Sequence, residues 1–218
     1  LTDDDETRIF QLMSGKLTAA DYDARVSRLL WSNGARAAQK WLPYASTERR
    51  AVLEAQLAHE LKSPDAPAKF AAAGKAGLSD AGLVMERVAA LRAAGNSWGA
   101  RELLASRPPL AAPPHVARDW LKMLLTNAEG AETDGQYDQA YRIASKVSDA
   151  FPAGTKITAL DLSTRDVYTS LAWLGGEMAY YKLGRPRDAV TMFMAYTDGA
   201  RSPQTRSKGL YWAGRAAK

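Results

Sequence analysis

The 218-residue sequence contains no cysteine, which excludes disulfide bonds and thiolate metal sites. Residues that favour strands are also scarce, since isoleucine occurs three times and valine eight times against 41 alanines. Alanine is the strongest helix former, whereas β-branched side chains favour strands. No apolar run approaches the roughly 20 residues that a membrane-spanning helix needs. The composition therefore predicts an all-α chain without a membrane span.

Residues that commonly carry catalysis or hold metals are sparse. The two histidines, His59 and His115, have no second histidine at metal-binding spacing, so we expect no metal and no cofactor. The string from Gly95 to Gly99 matches the Gly-x-Ser-x-Gly motif of serine hydrolases, but that motif requires a preceding strand. A helical pattern precedes it here, so Ser97 is predicted to cap the next helix. No acidic residue lies in an apolar stripe that would raise its pKa, which indicates no catalytic acid.

Helical periodicity recurs along the chain and predicts roughly 10 to 12 helices. Polar residues before apolar stripes predict helix starts at Thr18, Ser46 and Ser79. Left-handed glycine ends are expected at Gly34 and Gly95. The remaining predictions are a turn at Pro64 and Pro67, a helix over 115–125, a polar connection over 127–134, helices over 137–151 and 166–183, caps at Asp161 and Asp166, and a last helix from about Pro203.

A short pattern recurs, with glycine, then alanine five residues later, then an apolar residue about four positions further on. Glycine permits a tight reversal between two helices, and the small alanine lets the second helix approach the first closely. The separations between copies are unequal, which predicts irregular stacked hairpins and not a regular array. The copies are Gly95/Ala100/Leu104, Gly135/Ala140/Ala144 and Gly184/Ala189/Phe193, with a weaker one at Gly15/Ala20, and the prolines that follow the three full copies are Pro113, Pro152 and Pro203.

The motifs around these hairpins resemble a known family. Residues 171–176 read Leu-Ala-Trp-Leu-Gly-Gly, residues 183–186 read Leu-Gly-Arg-Pro, and residues 211–217 read Tyr-Trp-Ala-Gly-Arg-Ala-Ala. A Tyr-Trp-x-Gly-Arg-Ala-Ala segment after such a hairpin resembles the α-superhelical part of the soluble lytic murein transglycosylases. Residues 28–43 are similar to the N-terminal hairpins of that family, and the turn at 135–140 looks like that of a tetratricopeptide repeat.

The resemblance implies a periplasmic protein of cell-wall turnover. Such enzymes cleave the MurNAc–GlcNAc bond of peptidoglycan without water and leave a 1,6-anhydro end. Their helical part forms a superhelix, an α-solenoid of stacked antiparallel hairpins, and a separate lysozyme-like domain carries a catalytic glutamate in a Glu-Ser motif. This sequence contains no Glu-Ser dipeptide. We therefore expect a non-catalytic superhelical domain whose partners are peptidoglycan and a lysozyme-like catalytic domain of the same parent chain.

The expected organisation is one superhelix in two parts. Residues 1–110 form its N-terminal hairpins, and residues 111–218 form tetratricopeptide-like hairpins that stop before the last partner helix. The chain begins with Leu1 and not with methionine, which is typical of a mature or trimmed N-terminus. We expect no catalysis from this chain alone, because no catalytic residue is predicted in it, and whether its parent protein is an active lytic transglycosylase stays open.

Basic charge is concentrated towards the C-terminus. The chain has 29 Lys and Arg residues against 24 Asp and Glu residues. From Lys182 onward, most of the charged residues are basic. Stem peptides of murein carry carboxylates, so a basic face would suit a murein ligand, and no nucleic-acid motif accompanies it. The candidate binding residues are Arg185, Arg187, Arg201, Arg206 and Lys208. The alternative is a tetratricopeptide-like scaffold that binds another protein in its concave groove.

Overall fold

The computed structural model describes residues 3–13 and 15–218, apart from the side chains of Asp3 and Glu6; the predicted N-terminal segment from Leu1 lies partly outside these residues. Within the described ranges the chain is all-helical, with twelve α-helices and no strand, as its composition predicts. The helices are α1 Asp3–Met13, α2 Ala19–Trp31, α3 Ala35–Trp41, α4 Thr47–Glu60, α5 Ala66–Leu78, α6 Ala81–Ala93, α7 Ser97–Ser106, α8 Ala117–Thr133, α9 Tyr137–Ala144, α10 Leu162–Glu177, α11 Pro186–Gly199 and α12 Pro203–Ala216.

The chain divides into two compact units, Leu1–Ala90 and Leu91–Lys218. The boundary lies within α6, and the proline-rich residues 107–116 form a non-helical connection inside the second unit. The expected division of a single superhelix after residue 110 remains a prediction.

The first unit has an aromatic core around α2 and α3. Trp41 is buried, and its ring centroid lies 4.9 Å from that of Phe10 and 5.9 Å from that of Tyr22. Val26 and Leu30 come from one face of α2 and complete this cluster, because residues four apart on a helix lie side by side. The cluster therefore packs α2 against α3 and against the partly buried Phe10 of α1.

Several predicted helix starts are confirmed, and two move by one residue. Thr18 caps α2, where its hydroxyl oxygen accepts a hydrogen bond from the Asp21 amide, and Ser46 caps α4 in the same way. The cap of α6 is Asp80 and not Ser79, since the Asp80 carboxylate accepts from the Leu83 amide at 2.8 Å. The cap of α7 is Asn96, whose side-chain oxygen accepts from the Gly99 amide at 2.8 Å. Ser97 is therefore the first residue of α7 and not its cap, and the hydrolase motif lies at a helix start with no strand before it.

The predicted left-handed end at Gly34 is wrong by one residue. Asn33 adopts the left-handed conformation, with φ 57°, whereas Gly34 has φ −98°. Glycine is needed at 34 for space, because a Cβ there would lie 2.9 Å from the carbonyl oxygen of Leu29. That carbonyl accepts the Gly34 amide at 2.8 Å, so the turn after α2 brings two backbone segments together.

Two sequence predictions of non-helical chain are wrong at least in part. Pro64 lies in the predicted turn, whereas Pro67 lies in the first turn of α5, where its missing N–H has little cost. The predicted polar connection over 127–134 belongs almost entirely to α8, which begins at Ala117 and not at His115. Buried Asn127 continues this helix because its side-chain amide donates to the Met123 carbonyl at 2.8 Å. A polar residue at a buried helix position was therefore mistaken for a loop residue, because its hydrogen bond within the helix cannot be seen in the sequence.

The glycine–alanine repeat is confirmed in the second unit. Gly95, Gly135 and Gly184 all have left-handed φ angles, of 75°, 73° and 62°. The alanines five residues later, Ala100, Ala140 and Ala189, are fully buried, as are the apolar residues that follow them, Leu104, Ala144 and Phe193. In the weaker copy at Gly15 the glycine is also left-handed, but Ala20 is exposed.

The helices of the second unit differ from prediction at their ends. The first predicted long helix stops at Ala144 and is followed by a 3-10 turn, Val147–Ala150. The second begins earlier than expected, at Leu162, with Asp161 as its cap, so Asp166 lies inside α10 and does not cap it. A π-helical turn, Met178–Lys182, prolongs α10, and the wider turn lets the Arg185 amide donate to the Ala179 carbonyl at 2.8 Å.

Candidate functional site

A groove of about 410 Å³ on the second unit brings polar and aromatic side chains together. It lies within the range of small-ligand pockets. Most of its residues belong to α8 and α10, and they recur at three- and four-residue spacing, which places them on one face of each helix. The lining residues are Leu125, Glu129, Glu132, Thr169, Ser170, Trp173, Leu174, Glu177, Tyr196 and Lys208. We call this set the α8–α10 groove.

Trp173 supplies the aromatic surface of the α8–α10 groove. The ring is half-buried, and its centroid lies 5.0 Å from that of Tyr196, 5.2 Å from that of Phe193 and 6.5 Å from that of Trp212. These neighbours hold the indole in place, since tilted and edge-to-face pairs at such separations are favourable. Trp173 is therefore a packing residue with one accessible portion.

Among the carboxylates of the groove, Glu177 has a shifted pKa. Burial raises its pKa above the ordinary value, the hydrogen bond from Trp173 opposes this rise, and the negative charge of Glu132 adds to it. The positive charge of Lys208 lowers the same pKa. The groove thus combines three carboxylates, one ammonium group and two aromatic rings, a set that can accept hydrogen bonds and attract a cation.

The prediction that no acidic residue has a raised pKa is wrong at three positions. Besides Glu177, burial raises the pKa of Glu60 and of Glu86 in the first unit, and the charge of Glu60 raises that of Glu86 further. One Glu60 oxygen accepts the Ala35 amide at 2.8 Å, while its other oxygen is buried. Sequence periodicity misses these groups because the neighbouring helix buries them.

The candidate basic residues do not converge on one pocket. Arg185 lies 2.8 Å from the Asp138 carboxylate and 5.8 Å from the centroid of the Tyr141 ring. Arg201 donates from Nε to the Thr158 carbonyl at 2.7 Å. Both side chains thus make contacts within the second unit.

The other three candidates lie apart from each other, although Thr158, which Arg201 contacts, also lines the cavity of Arg206. Lys208 belongs to the α8–α10 groove. Arg206 lines a separate cavity of about 430 Å³ beside Tyr168 and Asp198. Arg187 is exposed in the first turn of α11. The role of these five residues in ligand binding remains a prediction.

An arginine-rich pocket in the first unit was missed by sequence reasoning. It has a volume of about 720 Å³ and surrounds the turn between α2 and α3. Arg25, Arg28 and Arg36 line it together with Ser32 and Asn33. Guanidinium groups and a hydroxyl are the chemistry that carboxylates prefer. The only sequence feature that points to this pocket is the three-residue spacing of Arg25 and Arg28, which places them on one face of α2. That spacing does not reveal that Arg36 lies beside them.

A buried basic cluster fixes the start of the proline-rich connection. The side chain of Arg107 is fully buried, donates to the Asp149 carboxylate at 2.8 Å, and lies 4.9 Å from the centroid of the Trp120 ring. Lys146 donates to the Arg107 carbonyl at 2.7 Å. Burial, with the nearby charges of Arg107 and Arg142, lowers the pKa of Lys146 to about 8, although Asp149 opposes this shift. These partners give the cluster a structural role.

Other site types receive no support within residues 3–13 and 15–218. Over these ranges, no group of three or more histidine, aspartate or glutamate side chains is placed to hold a metal ion. His59 is buried against Phe70, and burial lowers its pKa, as does the charge of Arg87. No helix in the described part of the chain has the length and apolarity required to cross a membrane.

Comparisons with protein-family models, with curated proteins and with solved structures found no match. The resemblance to soluble lytic murein transglycosylases therefore depends on the sequence motifs alone, and the family remains a prediction.

Proposed function

We propose that this chain is the non-catalytic superhelical domain of a periplasmic lytic murein transglycosylase. In this proposal its hairpins stack as a tetratricopeptide-like solenoid and hold murein for a catalytic domain outside the chain. The hairpin turns support the solenoid, because Gly135 and Gly184 reverse the chain before the buried alanines of α9 and α11. Such turns bring successive helices together in antiparallel pairs.

The α8–α10 groove is the observation that carries the proposed ligand. Trp173 and Tyr196 offer aromatic surface, on which the apolar face of a sugar ring can pack. Glu129 and Glu132 provide carboxylate oxygens that can accept hydrogen bonds from sugar hydroxyls. Murein presents sugars and charged peptides together, and a mixed aromatic and polar groove suits that combination.

Binding to purified peptidoglycan sacculi tests the proposal. We expect the chain to sediment with sacculi at low salt, less at moderate salt, and to release no anhydro-muropeptides. Ser170→Trp places a large ring in the groove and should weaken the binding affinity roughly tenfold, which is a loss of about 1.4 kcal/mol in binding free energy. Ser207→Trp is the matched control, because Ser207 is exposed on α12 outside the groove.

The possible outcomes test three parts of the proposal separately: the groove as the binding site, direct contact with murein, and the absence of catalysis. Equal binding by both tryptophan variants would mean that murein contacts another surface. Absence of binding at either salt concentration would overturn direct murein contact altogether. Release of anhydro-muropeptides by the chain alone would overturn its non-catalytic role.

An exposed aromatic patch on the second unit favours a second candidate function. Tyr181, Leu210 and Tyr211 are each at least half exposed, and the ring centroids of Tyr181 and Tyr211 lie 5.6 Å and 5.5 Å from that of Trp212. Clustered exposed aromatic side chains are typical of protein interaction surfaces. A tetratricopeptide-like scaffold that binds another protein would use such a patch, and loss of a co-purifying partner in Tyr211→Ser would support it.

A further inference from the structure

One ammonium group, that of Lys208, already lies in the α8–α10 groove. Its Nζ is 3.4 Å from the centroid of the Trp173 ring and 5.6 Å from that of the Tyr196 ring. Both distances are within the roughly 6 Å over which a cation is attracted to an aromatic face. Two rings from two helices, α10 and α11, therefore converge on one position for a cation.

Three carboxylates line the same groove as this cation position. Glu129 and Glu132 reach the groove from α8, and Glu177 reaches it from α10. Three carboxylates accompany the single ammonium group of Lys208, so the groove keeps a negative excess when all four groups are ionised. Aromatic faces beside carboxylates are the chemistry that selects an ammonium group over an anion or a neutral group.

Lys208 is an exchangeable occupant of the groove. The residue is exposed, and its ammonium group sits on a flexible four-carbon stem that can move the charge into water. A cation–π contact at an exposed site changes an equilibrium constant by only about two- to fivefold. A second ammonium group that brings additional contacts can therefore displace that of Lys208.

We propose that the α8–α10 groove binds a primary alkylammonium group of a murein stem peptide, and that Lys208 competes for the same position in the free protein. The murein source of the ammonium group rests on the proposed function. The ammonium site itself rests only on Trp173, Tyr196 and the three carboxylates.

A small probe tests the ammonium site without murein. Nα-acetyl-lysine methylamide is titrated into the full chain, with chemical shifts of the Trp173 indole N–H as the measurement. The norleucine analogue, which lacks the ammonium group, and the Nε-acetylated analogue are the control ligands. We expect only the free amine to saturate, and its affinity to fall with added salt. Equal shifts with norleucine would overturn the ammonium site.

Charge variants test the competition by Lys208. Lys208→Met keeps an apolar stem but removes the ammonium group, and it should bind the probe about two- to fivefold more tightly. Lys122→Met changes the net charge equally at an exposed position of α8 outside the groove, and should match the original protein. Glu129→Gln in the Lys208→Met background should weaken the probe again. Equal affinities for Lys208→Met and Lys122→Met would overturn the competition.

Sacculi with acetylated amines distinguish this inference from the proposed function. Weaker sedimentation with acetylated than with untreated sacculi would support an ammonium group supplied by murein. Equal sedimentation with both, together with saturable probe binding, would overturn the murein source and indicate a lysine of a partner protein. Retained sacculus binding without any probe binding would overturn the inference and leave the proposed function intact.

Discussion

Among the described residues, left-handed positions with a side chain occur only in the first unit, at Asn33 and Lys62, whereas the left-handed positions of the second unit are all glycines. Gly135 and Gly184 have φ angles of 73° and 62°, while Asn33 and Lys62 in the first unit have φ angles of 57° and 54°. A left-handed residue with a Cβ is strained, so glycine is favoured wherever a turn recurs. The full glycine–alanine repeat is therefore a property of the second unit, since Gly15 in the first unit precedes an exposed alanine, and two other turns there use Asn33 and Lys62.

Both units contain ionisable groups whose pKa values are shifted by burial. The first unit raises the pKa values of Glu60 and Glu86 by burial, and the second lowers that of Lys146 and buries Arg107. A raised carboxyl pKa makes folding weaken as the pH rises through it, whereas a lowered lysine pKa makes folding strengthen as the pH rises. Burial also raises the pKa of Glu177 in the second unit and lowers that of His59 in the first, so each unit contains groups with both responses to pH.

The largest effect should come from the apolar position of the third repeat. Phe193 is fully buried and its ring fills the space where a Cβ of Gly176 would lie. Phe193→Ala should lower the free energy of unfolding by about 3–5 kcal/mol, measured by urea denaturation. The adjacent Met194 is exposed, and Met194→Ala should cost less than about 1 kcal/mol. Equal losses in the two variants would contradict the repeat's role in the core.

A second test sets the strong copy of the repeat against the weak one. Ala140 is fully buried where α9 begins to pack, so Ala140→Leu should cost about 1–3 kcal/mol through overpacking. Ala20 follows Gly15 at the same spacing but is exposed, and Ala20→Leu should change stability by less than about 0.5 kcal/mol. Chemical denaturation of both variants measures the difference. A destabilised Ala20→Leu variant would remove this contrast between the units.

The reversal residues provide a smaller effect. No atom lies within 4 Å of a Cβ built at Gly135, so Gly135→Ala adds only left-handed strain, of about 1 kcal/mol. Asn33→Gly relieves the equivalent strain in the first unit but adds chain entropy on unfolding, so we expect a change within about 0.5 kcal/mol. Thermal and urea unfolding check both values. A greater loss in Asn33→Gly would show that the Asn33 side chain stabilises its turn.

The remaining expected effect is the pH dependence that Lys146 contributes. Its pKa is about 8 in the folded protein against 10.5 for an ordinary lysine, so the folded state binds fewer protons between these values. Stability should therefore rise with pH across that window. Lys146→Met should flatten the rise measured by urea unfolding, whereas Lys122→Met at an exposed site should preserve it. Identical pH profiles for the two variants would show that folding does not lower the pKa of Lys146.

Local signals predicted much of the helical pattern. Thr18, Ser46 and Asp161 accept hydrogen bonds from the amides three residues later, which is a purely local geometry that sequence spacing reveals. Asn127 and Pro67 misled the prediction because each is a common loop residue placed where a helix tolerates it. The α8–α10 groove was not predicted, since Lys208 meets Trp173 only after three helices have packed.

The sequence by itself determined that the chain is helical, where most of its helices begin, and that glycine turns precede buried alanines in the second unit. These features follow from alanine-rich composition, capping and backbone freedom, all of which act within a few residues. Only the tertiary structure decided which charges are buried and which side chains share a pocket. Each of Arg107, Glu177 and Lys208 has a partner at least 31 positions away in the chain, and packing between helices sets those distances. The partners are Asp149 for Arg107, Lys208 for Glu177 and Trp173 for Lys208.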